Sequence, residues 1–229
     1  MTKPYNTLFL LTSVDGKIST GDNDSLDVDK DFPTIPEPSG GLHQYYNIEQ
    51  QTDLYSMNSG RVLAKVGIND KTDIPEKTPV SFIVIDNEPH LTEKGVSYLS
   101  KKSKELFIVT TNKNHPANSV NADNIKVILY QVHIDFADLM NKLKTNYSID
   151  RITIQTGGTL NEVLLHQGLI DKLLLVVAPV LIGGKDTTGI IDGESLHTTS
   201  DLAKLKPLKF IEAKPLEDSY LQLEYEVIN

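Results

Sequence analysis

The stretch Arg151–Gly184, RITIQTGGTLNEVLLHQGLIDKLLLVVAPVLIGG, decides how this chain folds. A short alternating strand, Arg151 to Gln155, runs into Gly157 and Gly158, and a helix opens at once. Thr159 followed by Glu162 has the spacing of a capping box: the hydroxyl takes a first-turn amide and the glutamate reaches back. Leu160, Val163 and Leu164 form one apolar stripe at helical spacing, and Gly168 supplies a left-handed stop. Lys172 to Ala178 (KLLLVVA) is then apolar on both faces, as a buried parallel strand is. The result is a βαβ unit with a glycine turn at the carboxyl end of its first strand. Open α/β sheets bind ligands there, because free amides and the helix dipole favour an anion such as a pyrophosphate. The turn is neither GxGxxG nor a P-loop, and no acidic residue in a following strand is placed to hold a ribose. A glycine pair also serves wherever a strand must turn sharply, so by itself the motif leaves a phosphate site and a plain turn both open.

Further strands are spread evenly along the chain. Thr7–Leu11, Leu54–Met57, Val80–Asp86, Leu106–Thr110 and Ile125–Tyr130 read as strands, and Leu42–Gln51, Leu91–Lys101 and Phe136–Lys144 as helices, the last capped by Asp135. Lys209–Ala213 and Tyr220–Val227 alternate and flank a turn at Pro215–Asp218, which predicts an antiparallel hairpin. Strands alternating with helices, then a hairpin, predict a three-layer α/β/α domain over residues 1–229, its sheet mostly parallel with an antiparallel edge. With 39% hydrophobic residues in 229, the chain has enough apolar surface for one such core.

A net charge of −9 without a basic stripe excludes a nucleic-acid surface. No apolar run is long enough to span a bilayer, so no membrane partner is expected. The absence of cysteine excludes disulfides and cysteine metal sites, and the simplest address is cytoplasmic. The histidines lack metal-ligand spacing; an EF-hand loop counted from Asp27 fails because Phe32 and Pro38 stand at the glycine and glutamate positions, and one counted from Asp22 puts Leu26 at a ligand position, so no metal is expected. Gly21–Gly41, acidic and then proline-rich, reads as a long loop, the natural material for a lid over a substrate.

Four segments resemble the C-terminal reductase domain of the bifunctional riboflavin-pathway deaminase/reductase, whose fold is dihydrofolate-reductase-like. They are Thr12–Ile18 (TSVDGKI), Ser59–Ala64 (SGRVLA), Gly157–Asn161 (GGTLN) and Ala178–Gly184 (APVLIGG), in the family's order over nearly the whole chain. The resemblance implies NADPH, with phosphates at Gly157, Gly158, Thr159 and Leu160 and at Gly60, Arg61 and Val62. It places the nicotinamide near Leu11 and Ser13, and the adenosine end near Thr110 and Thr111. Ser25 and Gln155 fall at substrate positions, Gln155 where the family carries Glu, and the family's pairing through terminal strands implies a homodimer. Proton-donor candidates are Glu49, Asp15 and His43; each also has a plainer reading, as a helix-face, turn or surface residue. The family's phosphate-binding arginines have no counterpart, Glu49 falling near one of them. The first reading is therefore an NADPH-dependent reductase of a small carbonyl, imine or pterin/pyrimidine-like substrate. The alternatives are the riboflavin-pathway 5-amino-6-(5-phosphoribosylamino)uracil reductase itself, and a nucleotide-binding member without turnover.

Overall fold

A computed structural model describes residues 2–229, which form two compact units. One is split, built from Tyr5–Thr52 and Gly157–Asn229; the other is one continuous stretch, Asp53–Thr156, joined by residues 2–4. The chain therefore changes units after Pro4, after Thr52 and again at the threonine before Gly157.

The split unit begins with β1 (Tyr5–Ser13), whose residues after Tyr5 are all buried. Three short helices follow: α1 (Val28–Asp31), α2 (Pro36–Gly41) and α3 (His43–Glu49). They correct the reading of Gly21–Gly41 as one long loop. Val28 and Phe32 stand one helical turn apart and bury completely or nearly so, joining Phe9, Leu11, Leu42 and Tyr45 in one core. Phe9 and Tyr45 stack with centroids 5.0 Å apart. The prolines that look like loop markers include Pro36, which opens α2, where a missing N–H costs nothing. Only the segment before Asp27 keeps an irregular backbone.

The continuous unit carries β2 (Tyr55–Ser59), α4 (Gly60–Lys65), β3 (Ser81–Ile85), α5 (Glu93–Lys102), β4 (Leu106–Thr110), β5 (Ile125–Leu129), α6 (Phe136–Tyr147) and β6 (Arg151–Gln155). Its strands lie in the order β5-β4-β3-β2-β6, and each neighbouring pair is parallel. β4 is buried at every position, which accounts for its unbroken apolar sequence LFIVT. The caps follow the sequence: Asp135 accepts from the Asp138 amide at the start of α6, and Thr92 from the Gly95 amide at the start of α5.

Back in the split unit, α7 (Gly158–His166) leads to β7 (Lys172–Ala178), then β8 (Leu208–Pro215) and β9 (Leu221–Val227). β7 pairs parallel with β1, Leu11 opposite Val176 and Ser13 opposite Ala178. β9 runs antiparallel to both β7 and β8, which is the expected hairpin. The expected capping box at Thr159 is absent. The N-cap is Gly157, two residues earlier, and Thr159 lies exposed inside the first turn.

Candidate functional site

In the split unit, the turn after β1 and the start of α7 are laced together by one segment, Val180 to Gly193. β1 ends at Ser13, and Gly16 then turns at φ +76°, a conformation that favours glycine. The Ser13 hydroxyl donates to Asp15 Oδ1 at 2.6 Å, and the amides of Ile182 and Gly183 donate to the same carboxylate at 3.0 and 2.6 Å. Lys17 Nζ donates to the Thr187 carbonyl at 2.8 Å, and the Ile18 amide to the Thr188 carbonyl at 3.0 Å. Farther along, the Asp192 amide donates to the Gly158 carbonyl at 3.1 Å, and Asn161 Nδ2 to the Ile190 carbonyl at 2.8 Å. The segment after β7, which looks like filler in the sequence, thus holds the start of α7 and the β1 turn.

This arrangement explains the glycine pair. A Cβ on Gly158 would stand 2.4 Å from Asp192 Oδ2 and 2.5 Å from the Gly189 carbonyl oxygen, so no other residue fits. Gly157, the N-cap of α7, has no side chain with which to cap. A helix that opens on a glycine N-cap lets other groups approach its first-turn amides, a feature that suits an anion. α4 differs: Ser59 Oγ accepts from the Val62 amide at 3.2 Å, and Gly60 abuts the Asp86 carboxylate. Arg61, beside it, is exposed.

The other sequence-derived residues fall in separate places. Leu11 and Ser13 are buried at the end of β1. Thr110 is fully buried and its Oγ1 accepts from the Asn112 amide, while Thr111 donates through its amide to Asn87 Oδ1 at 2.9 Å. Gln155 Oε1 accepts from the Ser56 hydroxyl at 2.9 Å. Ser25 is exposed and bonds to Asn23 within its own turn.

Among the proton-donor candidates, Asp15 is unsuited to the task. The Ser13 hydroxyl, then the Ile182 amide, hold its carboxyl down at about 2, so it stays ionised and serves as an anchor. His43 is exposed, with Nδ1 on the Gly40 carbonyl. Glu49 stands in an acidic group with Asp27 and Asp29, and there the structure adds a residue that sequence reasoning missed. Burial, then the charges of Asp27 and Glu49, push Asp29 up to about 6 against the opposing Tyr46 hydroxyl, which donates to it at 3.3 Å. An acid in that range exchanges its proton near neutral pH. No spacing rule marks it, because burial and neighbours set the shift.

Asp29 gives a signed prediction. Its folded value of about 6 lies above its unfolded value of 3.8, so between these pH values the folded chain holds a proton that the unfolded chain has released. Stability therefore falls as pH rises through that window. Asp29→Asn should match the wild type near pH 4 and exceed it by about 1–2 kcal/mol above pH 7, after allowing for screening. Melting curves at the two pH values check this; equal stability of the two chains at the higher pH would contradict it.

The order of strands and helices, with mostly parallel pairing and an antiparallel terminal hairpin, defines a dihydrofolate-reductase-like α/β fold. The chain belongs to the RibD C-terminal domain family, whose model matches residues 4–215. It is 24% identical over 213 residues to the 2,5-diamino-6-ribosylamino-4(3H)-pyrimidinone 5′-phosphate reductase of Methanothermobacter thermautotrophicus, covering 89% of this chain and 91% of that protein. It is 22% identical to the riboflavin biosynthesis protein RibD of Actinobacillus pleuropneumoniae, with 99% of this chain spanning 58% of that one. Among solved structures, Acinetobacter baumannii RibD superposes with a TM-score of 0.70 at 16% identity, 99% of this chain on 59% of that chain. The Saccharomyces riboflavin biosynthesis reductase Rib7 gives 0.62 at 16%, covering 99% of this chain and 90% of that one. At these identities the structural likeness speaks for the fold.

Proposed function

We propose that this chain is a nicotinamide-nucleotide-dependent reductase of riboflavin biosynthesis, acting on a ribosylamino-pyrimidine 5′-phosphate. The observation that carries the proposal is the family match over residues 4–215, together with a relative of reductase function matched along 91% of its length. This moves the pathway substrate ahead of the broader small-carbonyl reading, which the missing arginines had favoured. The missing arginines still distinguish this chain from the family pattern, so its substrate phosphate must meet other groups.

The cofactor in this reading is NADPH, which supplies the hydride. The first turn of α7 fits one of its phosphates, because Gly157 and Gly158 present backbone without side chains. Within the other unit, Arg61 at the start of α4 is an exposed cation of the kind that suits an anionic group. The chain's own residues supply binding, orientation and exclusion of water. Reduction of an imine carbon takes one hydride from the nucleotide and one proton at the neighbouring nitrogen. The proposal includes a homodimer, supported by β8: every residue of this edge strand is exposed, with Phe210 at 60% and Ile211 at 49%. Light scattering reads the mass directly.

The test is a melting series with NADPH, with NADH and with neither, followed by turnover of the pathway substrate read as loss of NADPH absorbance. Nucleotide at about 100 times its Kd should stabilise the fold by about 2.7 kcal/mol. No shift with either nucleotide would overturn the cofactor assignment. A shift without turnover would favour a nucleotide-binding member that does not catalyse.

A further inference from the structure

The continuous unit holds a buried carboxylate that the functional reading leaves unused. Asp86 follows β3, and its side chain is wholly buried, as is that of His115. Asp86 Oδ1 accepts from the His90 amide at 3.0 Å and lies 3.3 Å from His90 Nδ1. Oδ2 accepts from the Leu91 amide at 3.1 Å and meets His115 Nε2 at 3.0 Å. The Ala117 amide donates to His115 Nδ1 at 3.0 Å, which assigns the imidazole proton to Nε2, where it points at the carboxylate. Burial by itself would push Asp86 up, but the His115 bond and the two amides outweigh it and hold the carboxyl below its usual range. Gly60, the first residue of α4, presses on the other side of the same carboxylate.

One side chain therefore fixes three turns, those after β2, β3 and β4. Each leaves the carboxyl end of a strand in a parallel set, the edge at which such sheets take ligands. The first carries Gly60, Arg61 and Val62; the third follows Thr110 and Thr111. Burying a carboxylate is costly, and an apolar side chain would fill the same space more cheaply. What the carboxylate adds is direction: it sets where each backbone turn points.

We propose that Asp86 and His115 form a positioning pair for nucleotide binding, holding these turns in the geometry that receives the cofactor. The inference rests on the cofactor reading above. The test compares wild type, His115→Leu and His115→Gln by direct NADPH titration, steady-state kinetics and thermal melting. In His115→Leu the Kd and KM for NADPH should rise roughly tenfold or more while kcat at saturating NADPH stays within about twofold, the pattern of lost binding geometry. His115→Gln, which keeps an N–H directed at Asp86, should recover most of the affinity. A folded His115→Leu variant that melts lower yet binds NADPH as the wild type does would overturn the proposal. Should that variant fail to fold, proton NMR of the wild type decides: the His115 Nε2–H resonance should move on addition of NADPH, and an unmoved resonance overturns the pairing. A wild type that binds no NADPH fells the cofactor reading and this inference together, whereas binding with an indifferent pair fells only the inference.

Discussion

Replacing Gly158 by alanine should destabilise the protein by roughly 3 kcal/mol and remove the stabilisation that NADPH confers. The added Cβ would come within 2.4 Å of Asp192 Oδ2 and 2.5 Å of the Gly189 carbonyl oxygen. The first of these is a side chain, but not a loose one, since Asp192 Oδ1 accepts from the Gly189 amide at 3.0 Å. The second is backbone and cannot rotate away. To make room, residues 189–192 must withdraw from the start of α7, breaking the Asp192-to-Gly158 and Asn161-to-Ile190 bonds. That movement also loosens the β1 turn, because the Ile190 amide donates to the Gly16 carbonyl at 3.0 Å. Adding Asp192→Ala should restore only part of the loss, because the clash with the Gly189 carbonyl remains. Melting and NADPH titration of the single and double variants check both points. A Gly158→Ala protein that binds NADPH with unaltered affinity would show that α7 does not receive the nucleotide.

The same glycine shows where sequence reasoning reaches its limit. The strand–glycine–helix pattern at Arg151–Leu160 was legible because local periodicity and backbone freedom produce it. The helix start was misplaced by two residues because what fixes Gly158 is a segment some thirty positions later, whose contact leaves no local trace. The strands LFIVT and KLLLVVA were legible for a related reason: burial on both faces demands an unbroken apolar run. Asp27–Gly41 was not, because its acids and prolines imitate a loop while Val28 and Phe32 supply too short a stripe to declare a helix. Asp29 and Asp86 were missed for a third reason. Both follow apolar or acidic neighbours in unremarked positions, and their chemistry comes from partners on other elements, Tyr46 and Glu49 for one, His115 for the other.

Gly60→Ala should be as damaging as Gly158→Ala, through a different partner. Its Cβ would stand 2.2 Å from Cγ and Oδ1 of Asp86 and 2.8 Å from Asp86 Cβ. A side chain at the surface would swing aside, but this carboxylate is buried and tied to His90, Leu91 and His115. Moving it breaks those bonds or forces the start of α4 off β2, at a cost of roughly 3 kcal/mol. Asp86→Ala alone should cost a similar amount, because two amides and the His115 N–H lose their acceptor inside the protein. The two losses share one cause, so they should not add. With Asp86 reduced to alanine the clashes with Cγ and Oδ1 vanish and only the 2.8 Å approach to Cβ remains, so the double variant should be only slightly less stable than Asp86→Ala by itself. The expected coupling is about 2–3 kcal/mol, well beyond the error of a double-mutant cycle in urea. Strict additivity would mean that the alanine at position 60 is accommodated by movement of α4, leaving Asp86 and its three turns in place. In that event Gly60→Ala would weaken binding through α4 alone, and the His115 variants would have to carry the case for the carboxylate as the common anchor.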